Sequence, residues 1–190
     1  MTTIKYDDSS LRFSSLNCHG FTLIELVIVL AIFSILFHLA APTFQNIGAN
    51  SRMTTQINTM VASFNYAKSE AVKRHHNVVI CPNDDGSCAR QPHWHNGWLM
   101  FIDENFDREI DQDEEIIYVE AAKENIEIIS SRYRRRVVFR NQGTSAGSNG
   151  SYIFCDQRGN SKARAIVLSN TGRARIANKQ LDGKDWRCNR

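Results

Sequence analysis

The 190-residue chain lacks the short motifs that identify most enzyme active sites. It contains no glycine-rich loop for phosphate binding, no nucleophile elbow and no plausible catalytic triad. It also lacks an internal repeat and any linker long enough to divide it, so its length suits one domain of ordinary size. These absences predict a protein that is not an enzyme and that needs no cofactor.

Acidic residues are scarce in the last third of the chain. From Ser130 to Arg190 there are 14 Lys and Arg against 3 Asp and Glu, a balance of +11, whereas the remainder has 9 against 17, a balance of −8. A one-sided basic region raises the local concentration of polyanions. Nucleic acid and anionic lipid are therefore candidate partners.

One long apolar run lies near the amino terminus. Residues 21–41 read FTLIELVIVLAIFSILFHLAA, which at about 1.5 Å per helical residue spans roughly 31 Å, the thickness of a bilayer core. The run predicts a single transmembrane helix. Lys5 and Arg12 precede it and favour a cytoplasmic amino terminus, a tendency that neighbouring aspartates weaken. Pro42 follows the run and predicts a kink or a short unwound stretch.

The start of this run carries the most specific motif in the chain. Gly20-Phe21-Thr22-Leu23-Ile24-Glu25-Leu26 resembles the prepilin cleavage and N-methylation motif of type IV pilins and type II secretion pseudopilins. The resemblance implies that residues 1–20 are a leader peptide, that a prepilin peptidase cuts after Gly20, and that Phe21 is methylated. It also implies an inner-membrane protein with a periplasmic carboxy-terminal head, which can enter an extracellular pilus together with other pilins or pseudopilins.

Glu25 is a charged residue inside an apolar helix. Such a carboxylate is costly in lipid unless it is neutralised, and the free amine of a neighbouring subunit's Phe21 could supply the opposite charge. We therefore expect Glu25 to act in filament assembly. A position in the headgroup region near the helix end is the alternative interpretation.

A second helical pattern follows the apolar run. Its apolar positions are spaced by three and four residues, which is typical of an amphipathic helix, and they are Met53, Ile57, Met60, Phe64, Ala67 and Ala71. The spacing predicts one long helix to about Arg74, with residues 42–76 as the amphipathic continuation of the apolar segment. Residues 77–190 then form the head.

The head contains short runs rich in branched and aromatic residues, which predict strands. They are Val78–Ile80, Trp98–Ile102, Ile116–Val119, Ile126–Ile128, Val137–Phe139, Tyr152–Phe154 and Ala165–Leu168. A long helix packed on a mostly antiparallel sheet gives an α+β fold.

Five cysteines occur, and the first, Cys18, lies in the expected leader. The remaining four favour two disulfides in an exported domain, and chain order suggests Cys81 with Cys88 and Cys155 with Cys188, although three connectivities are possible. A zinc site formed by Cys81, Cys88, His93 and His95 has the right donors, but its spacing is not that of a usual zinc finger. The disulfide is the simpler interpretation.

The head also resembles the GspH/FimT family. The residues that carry this resemblance are Gly97-Trp98-Leu99-Met100-Phe101, an acidic turn from Asp103 onward, and Gly172-Arg173-Ala174-Arg175. The last element is similar to the Gly-Arg-x-Arg element of FimT-type minor pilins, which are associated with DNA binding in natural transformation.

The acidic turn fits the ligand spacing of an EF-hand calcium loop, with Asp103, Asn105, Asp107, Asp111 and Glu114 at oxygen-ligand positions. Arg108, however, occupies the position at which a glycine normally permits the sharp turn. An acidic hairpin turn that faces water is the favoured interpretation, and no metal site is predicted.

The basic residues near the carboxy terminus are the main functional hypothesis. If residues 172–175 are extended, Arg173 and Arg175 point to the same face and form a two-pronged phosphate clamp, while Gly172 lets the backbone approach a ligand closely. The predicted DNA-binding residues are Lys162, Arg164, Gly172, Arg173, Arg175, Lys179 and Arg187. The alternatives are a solvated surface, contacts to acidic neighbouring subunits, or contacts to the acidic turn of the same fold.

Two functions are therefore open. The first is a minor pilin whose head binds DNA non-specifically during uptake. The second is a structural minor pseudopilin of a type II secretion system or of a pilus-priming tip complex, without DNA binding.

Overall fold

The computed structural model describes residues 21–131 and 134–188, and for residues 38–43 it describes the helical backbone only. The chain forms two compact units, and the boundary between them falls between Gln45 and Asn46. The expected leader, with Gly20 and Cys18, lies outside the described residues.

Helix α1 spans Leu23–Arg74 and has clear signals at both ends. At its start the Glu25 amide donates to Thr22 Oγ1 at 3.3 Å, and a threonine followed three residues later by a glutamate is the pattern of a capping box. Basic residues occupy its last turn, where their positive charge interacts favourably with the negative end of the helix dipole. His75 follows with φ of 60°, the left-handed conformation that commonly terminates helices.

The apolar amino-terminal part of α1 exposes its side chains as far as they are described, through Phe37. The helix continues through Pro42 without an unwound stretch, and the kink expected as an alternative stays a prediction. No helix within residues 21–131 and 134–188 combines the length and the apolar character that a membrane crossing needs. The transmembrane segment predicted at 21–41 includes residues 38–41, whose side chains are not among those described.

The head is built from two antiparallel sheets, whereas the sequence predicted one. In the first sheet β2, β1, β3 and β4 are neighbours in that order, and β6 also pairs with β1; in the second sheet the order is β5, β7, β8, β9. The strands are β1 (Asn77–Asp84), β2 (Ser87–Cys88), β3 (Gly97–Asp103), β4 (Ile116–Ala121), β5 (Glu127–Ser130), β6 (Val137–Phe139), β7 (Gly150–Cys155), β8 (Arg164–Leu168) and β9 (Ala174–Ala177).

The core lies where the predicted stripe of α1 meets both sheets. All six stripe residues are at most 1% exposed. Phe64 lies at the centre, because its ring contacts Phe139 of the first sheet at 6.1 Å and Tyr152 of the second at 5.2 Å between centroids. Trp98 of β3 adds a polar contact, since its indole N–H donates to Ser63 Oγ of α1 at 3.0 Å. One helix face therefore holds the two sheets together.

Both disulfides suggested by chain order are present. Cys81–Cys88 closes the β1–β2 hairpin, whose turn residues Asp85 and Gly86 both have positive φ. Cys155–Cys188 fastens the carboxy-terminal segment to β7. Because Cys81 and Cys88 are bonded to each other, they cannot serve as the thiolate ligands of the zinc site considered from the sequence.

Candidate functional site

The amino-terminal end of α1 is available for contacts. Phe21 is 81% exposed, and the large apolar side chains at residues 23–30 are between 43% and 81% exposed. Glu25 is also exposed. A carboxylate in the first helical turn is favoured by the positive end of the helix dipole as well as by any amine that approaches it.

The second sheet has an outer face, which we define as the face turned away from α1. Ile166 and Leu168 point toward α1 and belong to its core, whereas Ala165 and Ala177 belong to a separate cluster beneath Trp186. Arg175 lies opposite Val167 in the β8–β9 ladder, and because side chains alternate along a strand it shares the outer face with Ala177.

Arg173 and Arg175 have the relation that the sequence predicted. Arg173 directly precedes β9, and its carbonyl accepts a hydrogen bond from the Ser169 amide at 3.0 Å, so the antiparallel pairing continues through it. Both arginine side chains are exposed. Within the described residues, neither guanidinium makes a hydrogen bond or an ion pair. Two mobile cations two residues apart on an extended segment can contact two anionic groups at once.

Gly172 has a different structural role from the one inferred from the sequence. It is buried, with φ of 73°, and a Cβ atom there would lie 2.6 Å from the Gly143 carbonyl oxygen. The close approach that it permits is therefore to the chain's own backbone in the loop after β6, and not to a ligand. It closes the β8–β9 turn, with its amide donating to the Ser169 carbonyl at 3.0 Å.

Three further predicted residues lie in or beside the carboxy-terminal segment that packs on the outer face. Trp186 anchors this segment, because its indole N–H donates to the Ala177 carbonyl at 3.0 Å. Arg187 and Lys162 are exposed, and their side chains have no polar partner among the described residues. Lys179 is exposed and pairs loosely with Asp185 at 3.7 Å.

Arg164 is separated from this group. It pairs in register with Phe154, which belongs to the core beneath α1, and its guanidinium donates to Thr54 Oγ1 of α1 at 3.1 Å. Arg164 therefore points to the α1 side of the sheet, opposite to Arg175. The predicted set of seven residues thus does not form one continuous surface.

Three arginines that directly precede β6, Arg134 to Arg136, are engaged within the chain. The Arg134 guanidinium donates to the Gly147 carbonyl and to Asn149 Oδ1, the latter at 3.2 Å. Arg135 donates to the Arg90 carbonyl at 2.8 Å, and Arg136 forms an ion pair with Glu109 of the acidic loop. For Arg136 the alternative suggested by the sequence, a contact with the acidic turn of the same fold, is what the structure contains.

The acidic loop connects β3 to β4 as a hairpin, as the favoured interpretation expected. Asp103 at its start is fully buried, and burial raises the pKa of its carboxyl, an effect that the hydrogen bond from the Arg108 amide partly opposes. Burial also raises the pKa of the Glu114 carboxyl, which accepts the amides of Glu104 and Asp111 at 3.1 and 3.2 Å. In the residues described, no group of three or more His, Cys, Asp or Glu side chains is arranged to hold a metal ion.

Two solved structures to which the chain is similar are those of a minor pilin and a minor pseudopilin. The type IV minor pilin FimU of Pseudomonas aeruginosa PAO1, in its P21 crystal form, has a TM-score of 0.51 and 16% identity, over 72% of this chain and 93% of FimU. The minor pseudopilin EpsH from the type 2 secretion system of Vibrio cholerae has a TM-score of 0.46 and 7% identity, over 65% of this chain and 94% of EpsH. At these identities the FimU likeness concerns the fold alone, and it confirms the predicted α+β architecture.

Sequence families give the more decisive comparison. No curated protein matches the chain in sequence. The family model described as prokaryotic N-terminal methylation motif matches residues 15–41. The model described as type II transport protein GspH matches residues 56–172, which is more than half of the chain. Both matches confirm the resemblance drawn from the motifs, and the chain belongs to the GspH family.

Proposed function

We propose that the chain is a minor pilin or pseudopilin, anchored in the inner membrane by the apolar part of α1, whose periplasmic head binds DNA without sequence preference. The N-terminal methylation motif supports the anchored filament subunit. Arg173 and Arg175 are the central DNA-binding residues in this proposal, with Lys179 and Arg187 as auxiliary cations. Arg164 and Gly172 are left out, because their contacts are internal.

One observation carries the DNA-binding part of the proposal. Five of the nine described arginines from residue 134 onward bond to their own chain through the side chain, namely Arg134, Arg135, Arg136, Arg158 and Arg164. Arg173 and Arg175, like Arg140 and Arg187, are exposed side chains without a polar partner among the described residues, and the first two share one face of one extended segment. A guanidinium that is already paired must break that contact before it can bind a phosphate, while an unpaired one only displaces water. Guanidinium groups that contact phosphates read no base sequence, so binding should be independent of sequence and should depend strongly on salt.

The test is a titration of the full chain in detergent with duplex DNA at several salt concentrations. Replacing both arginines in R173Q/R175Q should weaken binding and reduce the slope of log K against log salt by about 2, because each phosphate contact contributes about 0.9 to that slope. A matched control is R90Q/R108Q, which removes two exposed arginines elsewhere in the head. If both double variants lose affinity equally, the binding reflects net charge and the clamp is rejected.

The structural pseudopilin is the second candidate, and it is favoured by the internal engagement of Arg134, Arg135 and Arg136. In this case the exposed arginines contact acidic side chains of adjacent subunits. Undetectable DNA binding by the full chain at low salt, combined with normal incorporation into filaments, would reject DNA binding and support the structural role. The prediction that the chain is not an enzyme applies to both candidates.

Filament assembly is expected to depend on Phe21 and Glu25. After cleavage by a prepilin peptidase, the amine of Phe21 in one subunit would pair with Glu25 in the next, which neutralises a carboxylate that is costly in lipid. Mass spectrometry of the native protein should detect a mature chain that begins at N-methylated Phe21. E25Q should be cleaved normally and yet fail to enter filaments; an E25Q subunit that assembles as well as the unaltered one would contradict the pairing.

A further inference from the structure

The acidic loop between β3 and β4 has the backbone of a calcium-binding loop despite its missing glycine. Arg108 occupies the sixth position of the twelve-residue pattern, and its φ is 68°, the left-handed conformation that glycine normally supplies there. The Asp103 carboxylate at the first position accepts the Arg108 amide at 3.3 Å and so closes the turn. The turn that a glycine normally permits at the sixth position is therefore present in the folded chain, and the positive charge of Arg108 is what remains unfavourable to a cation.

The loop is also held in place by its own apolar residue. Ile110 packs against the cluster formed by Val79, Leu99 and Phe101 on the side of the first sheet opposite α1. On the other flank, the side chain of Glu109 is fixed by its ion pair with Arg136. Both contacts flank the Glu109 main chain, which supplies the carbonyl at the seventh position of such loops.

The second oxygen of Asp103 is the observation that points to a ligand. Asp103 is 0% exposed, and although its Oδ1 accepts the Arg108 amide, its Oδ2 has no hydrogen-bond partner among the described residues. A buried carboxylate oxygen without a donor is destabilising, and such carboxylates are usually paired or bound to a metal. A cation at this position would satisfy it.

The Glu114 carboxylate at the twelfth position lies next to the start of the loop. Its two oxygens accept the amides of Glu104 and Asp111 at 3.1 and 3.2 Å, and Glu104 directly follows Asp103. The fold therefore brings the first and twelfth positions of the pattern to the same end of the loop, as a calcium loop requires.

We propose that this loop binds one calcium ion. The ligands would be side-chain oxygens of the first, third, fifth, ninth and twelfth positions and the main-chain carbonyl of the seventh, namely Asp103, Asn105, Asp107, Asp111, Glu114 and Glu109. Calcium suits a flexible set of six or more oxygens, whereas magnesium requires a stricter octahedron.

Binding requires a small rearrangement of exposed side chains. In the present conformation the carboxylates do not yet converge into a metal cage. Asp107 Oδ1 accepts the Glu109 amide at 2.7 Å, and Asp111 Oδ2 accepts the Asn105 amide group at 2.9 Å. Both contacts lie at the protein surface, where exchanging a hydrogen bond for a cation contact costs little.

Thermal unfolding of the full chain in detergent tests the proposal. The melting temperature in EDTA should rise by about 3–6 °C when calcium chloride reaches ten times the dissociation constant. Magnesium chloride at the same concentration should produce a clearly smaller shift. Absence of a shift at about 10 mM calcium, beyond the weakest range of extracellular calcium modules, would overturn the proposal.

Matched variants of the same loop identify the ligands. D103N and E114Q should abolish the calcium shift, whereas E104Q and D113N, which remove the same charge from exposed positions outside the ligand pattern, should keep it. D103N should also melt no lower than the unaltered chain in EDTA, because it removes a buried charge. If D103N and E114Q both retain the shift, or if the controls lose it equally, calcium acts elsewhere or only through net charge, and the proposal fails.

A glycine at the sixth position gives an independent measurement. R108G removes a positive charge beside the ion, so its dissociation constant for calcium in a calorimetric titration should be several-fold lower. The backbone strain of residue 108 is present with and without calcium, so its removal should raise the melting temperature in EDTA but not the affinity. Weaker calcium binding by R108G would contradict the placement of the ion.

Discussion

Removing the Cys155–Cys188 disulfide should destabilise the head more than removing Cys81–Cys88. The first pair is separated by 33 residues and the second by 7. In the chain-entropy model, a cross-link restricts the unfolded chain more when the loop it closes is longer, which gives about 3.7 kcal/mol for the first pair and about 2.4 kcal/mol for the second. The difference between the two, about 1.3 kcal/mol, follows from loop length alone.

The folded state adds to this difference. Cys155 is 3% exposed, and Trp186, two residues before Cys188, is 9% exposed and packs over Ala165 and Ala177. Without the cross-link this segment can detach and expose the apolar cluster beneath it. Alanine is the appropriate replacement in both pairs, because a serine at the buried Cys155 position would add an unpaired hydroxyl.

Urea denaturation of the full chain in detergent measures both effects. With an m value of about 2 kcal/mol/M, the midpoint should fall by about 1.9 M for C155A/C188A and by about 1.2 M for C81A/C88A. The m values should rise slightly in both variants, because an unfolded chain without the cross-link is less compact and exposes more surface. A larger loss in C81A/C88A than in C155A/C188A would refute the loop-length reasoning and would indicate that the hairpin turn itself controls stability.

Two further predictions concern residues that pack around α1. G172A should lose about 3 kcal/mol of unfolding free energy, because residue 172 has a positive φ and the added Cβ would collide with the Gly143 carbonyl. G147A is the control: residue 147 also has a positive φ but has open space around it, so this variant should lose only about 1 kcal/mol in the same assay. The Arg74 hydrogen bond lowers the pKa of the buried Glu70 carboxyl below its ordinary value of 4.5, so its contribution to stability is present above that pH and is lost as the pH falls through the lowered value. E70Q should flatten this acid-side loss in a series of melts, and an unchanged pH profile would contradict the assignment.

The helical part of the fold could be predicted from the sequence because its signals are local. Spacing by three and four residues correctly identified six buried positions of α1, from Met53 to Ala71, but it missed three buried polar residues of the same helix, Gln56, Ser63 and Glu70. Seven of the nine described strands were visible as apolar runs, whereas β2 and β9 are too short and too polar to be recognised. β9, with Arg175 at its second position, forms only because β8 offers an edge to which it can bond.

Sheet organisation could not be predicted in the same way. Whether β5, β7, β8 and β9 join the first sheet or form their own depends on pairings between distant residues, and each strand's own pattern is compatible with either. Phe64 contacts residues of both sheets, so its apolar character alone does not indicate that the strands are divided between two sheets. The predicted α+β class with antiparallel strands was therefore confirmed, whereas the division into two sheets could not be predicted.

The basic residues show a similar limit. Alternation along an extended segment correctly related Arg173 to Arg175, because that geometry is local. The partners of a guanidinium are not local: Arg136 reaches Glu109 and Arg164 reaches Thr54, across 27 and 110 positions of sequence. A count of positive charge in the sequence therefore overestimates the number of arginines that can bind DNA.

Arg108 illustrates why a residue preference can be overridden. Left-handed backbone costs a non-glycine residue about 1–2 kcal/mol, which a sequence pattern can only treat as an objection. In the fold, this cost is offset by the hydrogen bond from the Arg108 amide to Asp103 and by the burial of Ile110 two residues later. If these two contacts hold the turn, I110A should reduce the calcium-induced rise in melting temperature although residue 110 contributes no ligand. An unchanged rise would mean that the acidic side chains alone determine the loop.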